Sequence, residues 1–408
     1  MEIEFKQSQL ANGLNIVAEI NPAAHSTAMG FFVNTGARDE ASRMMGVSHF
    51  LEHMMFKGTD TLNAEEVDQA FDDLGAIHNA FTTSEMTAFW AHCLPDHREQ
   101  VFATLADILR PALRPDDLED ERKVIIEEIA MYEDNPFWVL YERGIESYYG
   151  NHTLSHRVLG TKETVSNISP QDMKQYFDER YAADNTVLAV AGCLDFDEVV
   201  AQANALCDHW PTSGTTRLYQ PVVPQSDDFT MRLPTLAQAY VALIAPFPGA
   251  NDDDRYAAAL LSHILGGADG SRLHWALIET GLSEDAAAYF DPRDRTGEFL
   301  AYAACQPDQL EQVESLLRSE IDGLITSLTE SDLERARAVF ATASTLSEEL
   351  SSGRMRRLGR LWTYSGEYRS LEDELKRISS VTLDNLKEVA TRYPMEPVVS
   401  ARLIPEHK

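Results

Sequence analysis

The sequence predicts an α/β chain built from two similar units, and three observations carry that reading. The chain has 408 residues, more than one ordinary core holds. Short strand-like runs alternate with helical stretches along much of its length. A segment dense in Pro, Ser, Gly and Thr, from Pro211 to Asp228, interrupts the periodicity, and the residues beyond it repeat the pattern of those before it.

Taken in order, Leu14 to Ile20 and Thr27 to Asn34 are apolar or alternating runs and read as strands. The turn-rich stretch from Thr35 to Arg43 leads into a helical pattern over Val47 to Phe56. Asn63 is the expected N-cap of a helix over Ala64 to Leu74, which Gly75 stops. Ala76 to Leu94, rich in Phe, Thr and Trp, reads as a β-hairpin. Helices are expected near Arg98 to Leu109, Leu118 to Tyr132 and Pro170 to Tyr176. Thr186 to Gly192 reads as a buried strand with an amphipathic helix after it. These elements divide the chain into a first unit at residues 1–211, a linker at 212–228 and a second unit at 229–408. The second opens with a strand over Gln238 to Ala245 and ends in long helices between Glu330 and Thr391.

The second unit reads as a degraded copy of the first. In one, an apolar strand leads through Gly36 to Ser48-His49-Phe50-Leu51-Glu52-His53. In the other, an apolar strand leads through Gly249 to Ser262-His263-Ile264-Leu265-Gly266-Gly267. The glycine precedes the histidine by thirteen residues in the first copy and fourteen in the second. Glu-His in one stands against Gly-Gly in the other, as expected of a duplication in which one copy lost its chemistry.

Composition excludes several functions. Hydrophobic content of 44% and charged content of 25% are ordinary for a globular protein. No apolar run reaches the roughly 18 to 20 residues that span a bilayer. The N-terminus, Met1-Glu-Ile-Glu-Phe-Lys6, carries acids where a signal peptide needs a basic start, so nothing there suggests export. Cys93, Cys193, Cys207 and Cys305 show no C-x-x-C spacing and read as reduced thiols of a cytoplasmic protein. A net charge of −32 repels phosphate backbones and argues against nucleic acid as a partner. That charge serves solubility, or it attracts cationic peptides.

Chemistry concentrates at three points. His49 and His53, four apart on a predicted helix, share one face, with a rise of about 6 Å between them. Glu52 projects near the same place, giving His-x-x-Glu-His, the reversal of His-Glu-x-x-His with the same chemical logic. A catalytic zinc needs three protein ligands and an open position, so a third donor must come from elsewhere. The helix from Glu121 to Tyr132 offers Glu121 and Glu128, seven apart and nearly in register. Glu128 has Val124, Ile125 and Tyr132 on its face, a costly setting for a carboxylate that is neither paired nor bound to a metal. Glu127 points about 100° away and reads as solvated. The plainer alternative is a pair of helical histidines beside ordinary surface acids. His152 and His156 are also four apart, but no acid of clear register joins them; with His78, His92 and His263 they read as structural.

Gly46-Val-Ser-His-Phe-Leu-Glu-His-Met-Met-Phe-Lys-Gly-Thr59, followed by Glu121-Arg-Lys-Val-Ile-Ile-Glu-Glu128, resembles the pitrilysin/insulinase family of zinc peptidases. It is most similar to the branch of mitochondrial processing peptidase and its short bacterial relatives. The resemblance covers nearly the whole chain, including Gly160-Thr-Lys-Glu163 and Arg354-Met-Arg-Arg-Leu-Gly359. It implies that each unit is an antiparallel-rich mixed sheet packed against helices, and that a dimer encloses a chamber admitting peptides or unfolded segments. It implies His49, His53 and Glu128 as ligands of Zn2+, Glu52 as the base that activates water, and Glu121 as a supporting carboxylate. Asn79, Ala80 and Phe81 match an edge strand that pairs with the substrate backbone; without the resemblance they read as a plain hairpin strand. The chain departs from the pattern after Ser271-Arg272-Leu273. Where the family often carries an Arg and a Tyr that grip the substrate carbonyl, this chain has Ile278 and Glu284. The departure favours a heterodimer whose sister subunit supplies that pair, or a homodimer with altered anchoring. Gly266, Gly267 and Gly270 read as a loop facing the chamber or simply as a helix stop.

Overall fold

Residues Thr27–Val33 and Thr186–Gly192 are apolar, small or β-branched throughout, the pattern of strands covered on both faces, and both are buried along their whole length. The computed structural model containing them describes residues 3–406; Met1 and Glu2, where the acidic N-terminus begins, lie outside the described residues.

The strands run β1 (Glu4–Gln9), β2 (Asn15–Ile20), β3 (Thr27–Val33), β4 (Ile77–Thr82), β5 (Thr87–Cys93) and β6 (Thr186–Gly192). After them come β7 (Asp227–Leu233), β8 (Ala239–Phe247), β9 (Ser283–Arg293), β10 (Thr296–Cys305) and β11 (Val399–Pro405). The first helices are α1 (Val47–Met55), α2 (Ala64–Asp72), α3 (Arg98–Ile108), α4 (Pro115–Glu133) and α5 (Pro136–Tyr149). Then come α6 (Lys162–Asn167), α7 (Pro170–Arg180), α8 (Phe196–Cys207), α9 (Arg255–Gly266) and α10 (Leu310–Ser327). The last are α11 (Glu330–Ser347), α12 (Ser351–Ser365), α13 (Leu371–Ser380) and α14 (Leu383–Arg392). Asn63 caps α2 as expected, its side chain accepting from the Glu66 amide. Among the described residues no helix is long and apolar enough to cross a membrane.

Two mixed, mostly antiparallel sheets form, in the orders β1-β2-β6-β3-β5-β4 and β7-β11-β8-β10-β9. Each has one parallel pair, β2 with β6 and β7 with β11, and is otherwise antiparallel. Without β1, the first sheet has the order and directions of the second, so the repeated sequence pattern corresponds to a repeated topology.

The chain sorts into two compact units. One comprises residues up to 130, 156–219 and 345–369; the other comprises 131–155, 220–344 and 370 onward. A single cut within 212–228 would leave α5 with the first half and α12 with the second. By contacts, each helix packs into the other unit. In the first unit, one sheet face is buried by Phe50, Leu51, Phe102, Ile125 and Phe177, while the opposite face, with Phe32 and Ala189, is buried by Met355 and Leu358 of α12. In the second, Leu261, Leu317 and Leu386 cover one face, and Leu140 and Tyr148 of α5 cover the other. A sheet buried on both faces needs a helix layer on each side, and here the second layer comes from a distant stretch of chain.

Candidate metal centre

The candidate residues lie in the first unit, on α1, α4 and β4. Helix α1 turns Val47, Phe50, Leu51 and Met54 into the core, and that orientation sets His49, Glu52 and His53 along its other side. Helix α4 buries Leu118, Ile125 and Ile129, and the same 3.6-residue periodicity aims Glu121 and Glu128 at α1. Glu127 is exposed, as expected. Of the apolar neighbours expected for Glu128, Ile125 is buried and Tyr132 half-buried, but Val124 is 48% exposed and does not wall the carboxylate off from water.

The structure brings His49, His53 and Glu128 together: one donor atom from each lies within 4.8 Å of the others, the only such group among the described residues. Nε2 of His49 is 3.7 Å from Oε2 of Glu128, and Nε2 of His53 is 3.6 Å from the same oxygen. These gaps are too long for hydrogen bonds. They are close to the roughly 3.4 Å that separates two ligands of a tetrahedral zinc with bonds near 2.1 Å. Two imidazole nitrogens and a carboxylate oxygen are also a donor set that zinc takes, so the residues fit the ion.

The remaining contacts orient this set. Nδ1–H of His53 donates to Oε1 of Glu121 at 2.7 Å, which fixes the ring with Nε2 toward Glu128. The second oxygen of Glu121 meets Nζ of Lys57 at 2.5 Å. Oγ1 of Thr82, at the end of β4, donates to Oε2 of Glu52 at 2.6 Å. Burial, with the charge of His53 beside it, pulls the His49 imidazole down to about 3, so this ring is neutral and able to bind a cation at ordinary pH. Burial raises the Glu52 carboxyl, partly offset by the Thr82 hydrogen bond. Burial also opposes charge on His53, but Glu121, Glu128 and Glu52 outweigh it and leave that ring raised. The opposite balance holds at Glu121, where burial loses to hydrogen bonds from His53 and Lys57 and the carboxyl is lowered.

Asn79, Ala80 and Phe81 lie on β4, the last strand of its sheet, where they pair with Trp90, Phe89 and Ala88 of β5. The edge away from β5 has no strand partner among the described residues. Ile278 closes a short π-helical turn of the second unit, and Glu284 accepts from Gln306 at 3.4 Å. Arg272 is bound to Asp332 and to the Ser327 carbonyl, both at 2.8 Å. Of the histidines read as structural, His78 stacks on Phe71 at 4.1 Å and Nδ1–H of His156 donates to the Ala37 carbonyl at 3.0 Å. All four cysteines are free. Sequence reasoning missed Lys57 and Thr82. Lys57 was within reach, being four residues after His53 and just beyond the C-cap of the same helix. Thr82 meets Glu52 only through the placement of the hairpin, which no local spacing reports.

The structure thus has two sheets of one topology, the first bearing a His-x-x-Glu-His helix that faces a glutamate from another helix, a set able to hold a metal ion. Residues 15–162 match the family described as Insulinase (Peptidase family M16), and residues 167–340 match the Peptidase M16 inactive domain. The chain belongs to the insulinase family of M16 peptidases. An uncharacterized zinc protease of Mycobacterium tuberculosis is 33% identical over 396 residues, covering 94% of this chain and 90% of the relative. The uncharacterized zinc protease YmxG of Bacillus subtilis is 30% identical over 405 residues, covering 98% of each. The fold is shared with a protease from Helicobacter pylori, at a TM-score of 0.91 and 20% identity over 98% of this chain and 100% of that one. A chain of complex III2 from Candida albicans shares it at a TM-score of 0.85 and 21% identity, over 98% of this chain and 95% of that one.

Proposed function

We propose that this chain is a zinc-dependent endopeptidase that hydrolyses peptides or unfolded segments. The observation that carries the reading is the convergence of His49, His53 and Glu128 with Glu52 held alongside. His49, His53 and Glu128 would hold the ion. When bound, zinc supplies a Lewis acid that makes water acidic near neutral pH and polarises a carbonyl. Glu52 takes the proton from the attacking water and returns it to the leaving amine. Its raised affinity for protons suits that exchange, and Thr82 keeps one carboxylate oxygen fixed meanwhile. Glu121 orients His53 and compensates its charge. The open edge of β4, at Asn79, Ala80 and Phe81, pairs with the substrate backbone and reads main chain before side chain.

By family likeness the working form is a dimer enclosing a chamber. Ile278 and Glu284, where the family often has Arg and Tyr, favour a heterodimer whose sister chain supplies the missing pair. Free cysteines suit a reducing, cytoplasmic setting. The deciding experiment purifies the chain from its native source with any associated sister subunit, then measures bound zinc and cleavage of a quenched fluorescent peptide. E52Q is expected to keep its zinc and to lose at least ~100-fold in kcat. Retained cleavage by E52Q removes the base from this mechanism. Zinc bound without hydrolysis by the wild type, alone or with its sister, would make the chain a metal-holding scaffold instead.

A further inference from the structure

The first turn of α1 is held by an acid that the proposed chemistry does not use. Gly46 is the N-cap, with φ of 95° and no side chain to satisfy the helix's first amides. Glu40, 3% exposed, does so from outside the helix. One of its carboxyl oxygens accepts from the Gly46 amide at 2.7 Å and the other from the Ser48 amide at 2.8 Å. The hydroxyl of Tyr176 lies 2.8 Å from Oγ of Ser48 and 2.9 Å from Oγ1 of Thr35, closing the contact from the other side.

Glu40 is itself anchored to the hairpin that carries the base's partner. Just before it, the Ala37 and Arg38 amides donate to the carbonyls of Thr83 and Ser84, at 3.2 and 2.7 Å, in the turn between β4 and β5. The residue preceding that turn, Thr82, bonds Glu52. Helix α1 is therefore tied to one hairpin at two points, through Glu40 at its first turn and through Glu52 further along.

We infer that Glu40 is a positioning residue of the metal centre, fixing the angle at which α1 presents His49 and His53 to Glu128. The inference rests on the function proposed above. A zinc site tolerates a few tenths of an ångström in its ligand distances. A nine-residue helix with a loosened first turn tilts by more than that, even while its apolar face stays buried. Gln at this position offers one carbonyl oxygen and turns an amide donor toward a helix N–H, so one of the two amides loses its acceptor.

The test compares wild type, E40Q and E40D. Zinc affinity is measured by competition with a chromophoric chelator, the ligand field by the visible spectrum of the cobalt-substituted protein, and kcat and KM on one peptide. Expected for E40Q is a folded protein that binds zinc ~10-fold more weakly, with an altered cobalt spectrum, a lower kcat and KM within about twofold of wild type. A folded E40Q with wild-type affinity, spectrum and kcat overturns the inference. If E40Q does not fold, E40D, which keeps the acid but falls one methylene short, is judged by the same criterion. A wild type that binds no zinc defeats the proposed function instead, so the two failures are distinguishable.

Discussion

His49 meets two demands at once: it must be buried to sit between α1 and α4, and neutral to offer Nε2 to a cation. Burial serves both, since it pulls the ring from its ordinary value of 6.5 down to about 3. Between those values the unfolded chain binds a proton that the folded, metal-free chain refuses. The neutral ring's contribution is therefore fully present above pH 6.5 and lost as pH falls toward 3, with a slope of at most ~1.4 kcal/mol per pH unit. Metal-free wild type should lose urea stability more steeply than H49Q between pH 6.5 and 4. Parallel curves for the two proteins would show that the ring is solvated in the metal-free state. The shared face of His49 and His53 was legible beforehand because it is a spacing along a single helix, four residues on α1, whereas the choice of Glu128 on α4 as their companion came from the family resemblance, since that relation joins two helices. Glu40 and Thr82 were not legible, because their partners lie on other elements and only the assembled hairpin brings them near.

At the scale of elements, runs with a strong local period were readable to within a few residues. β6 falls at Thr186–Gly192, as expected, and the helix expected at Leu118 to Tyr132 extends to Pro115–Glu133. The parallel pairing of β7 with β11 was not readable, since it joins strands more than 160 residues apart. Nor was the exchange of α5 and α12 between units, because an amphipathic pattern states that a helix has a buried face but not which sheet covers it. The docking of α12 makes this exchange testable. A Cβ built on Gly359 would lie 2.2 to 2.4 Å from carbons of the Phe32 ring, which is fully buried against Met355 and Leu358. Ala is the better helix former by about 1 kcal/mol, but contacts this short force Phe32 or the whole helix to move, and overpacking costs about 1 to 3 kcal/mol. The clash should prevail, so G359A is expected to lower the urea midpoint of unfolding. A midpoint equal to wild type or higher would mean that α12 slides on the sheet and does not fix it.

For the whole molecule the dominant quantity is a net charge of −32, with 66 acidic against 34 basic residues. Such a charge acts on approach and not on chemistry, because its field reaches only as far as salt permits: about 30 Å at 0.01 M and about 3 Å at 1 M. A peptide entering this field gains or loses association rate according to its own sign, while Glu52 and the ligand set treat both signs alike once the peptide is bound. Two peptides sharing one scissile segment, flanked in one by lysines and in the other by glutamates, separate these contributions. The lysine-flanked peptide should have the higher kcat/KM at low salt, by ~10-fold, with equal kcat, and the ratio should shrink toward one as salt rises to about 0.5 M. Equal rates at low salt would leave the acidic surface with solubility as its only role. A ratio that survives high salt would point to a lysine of the bound peptide paired directly with an acid of the protein, since a contact of that kind lies inside the screening length where a diffuse field does not.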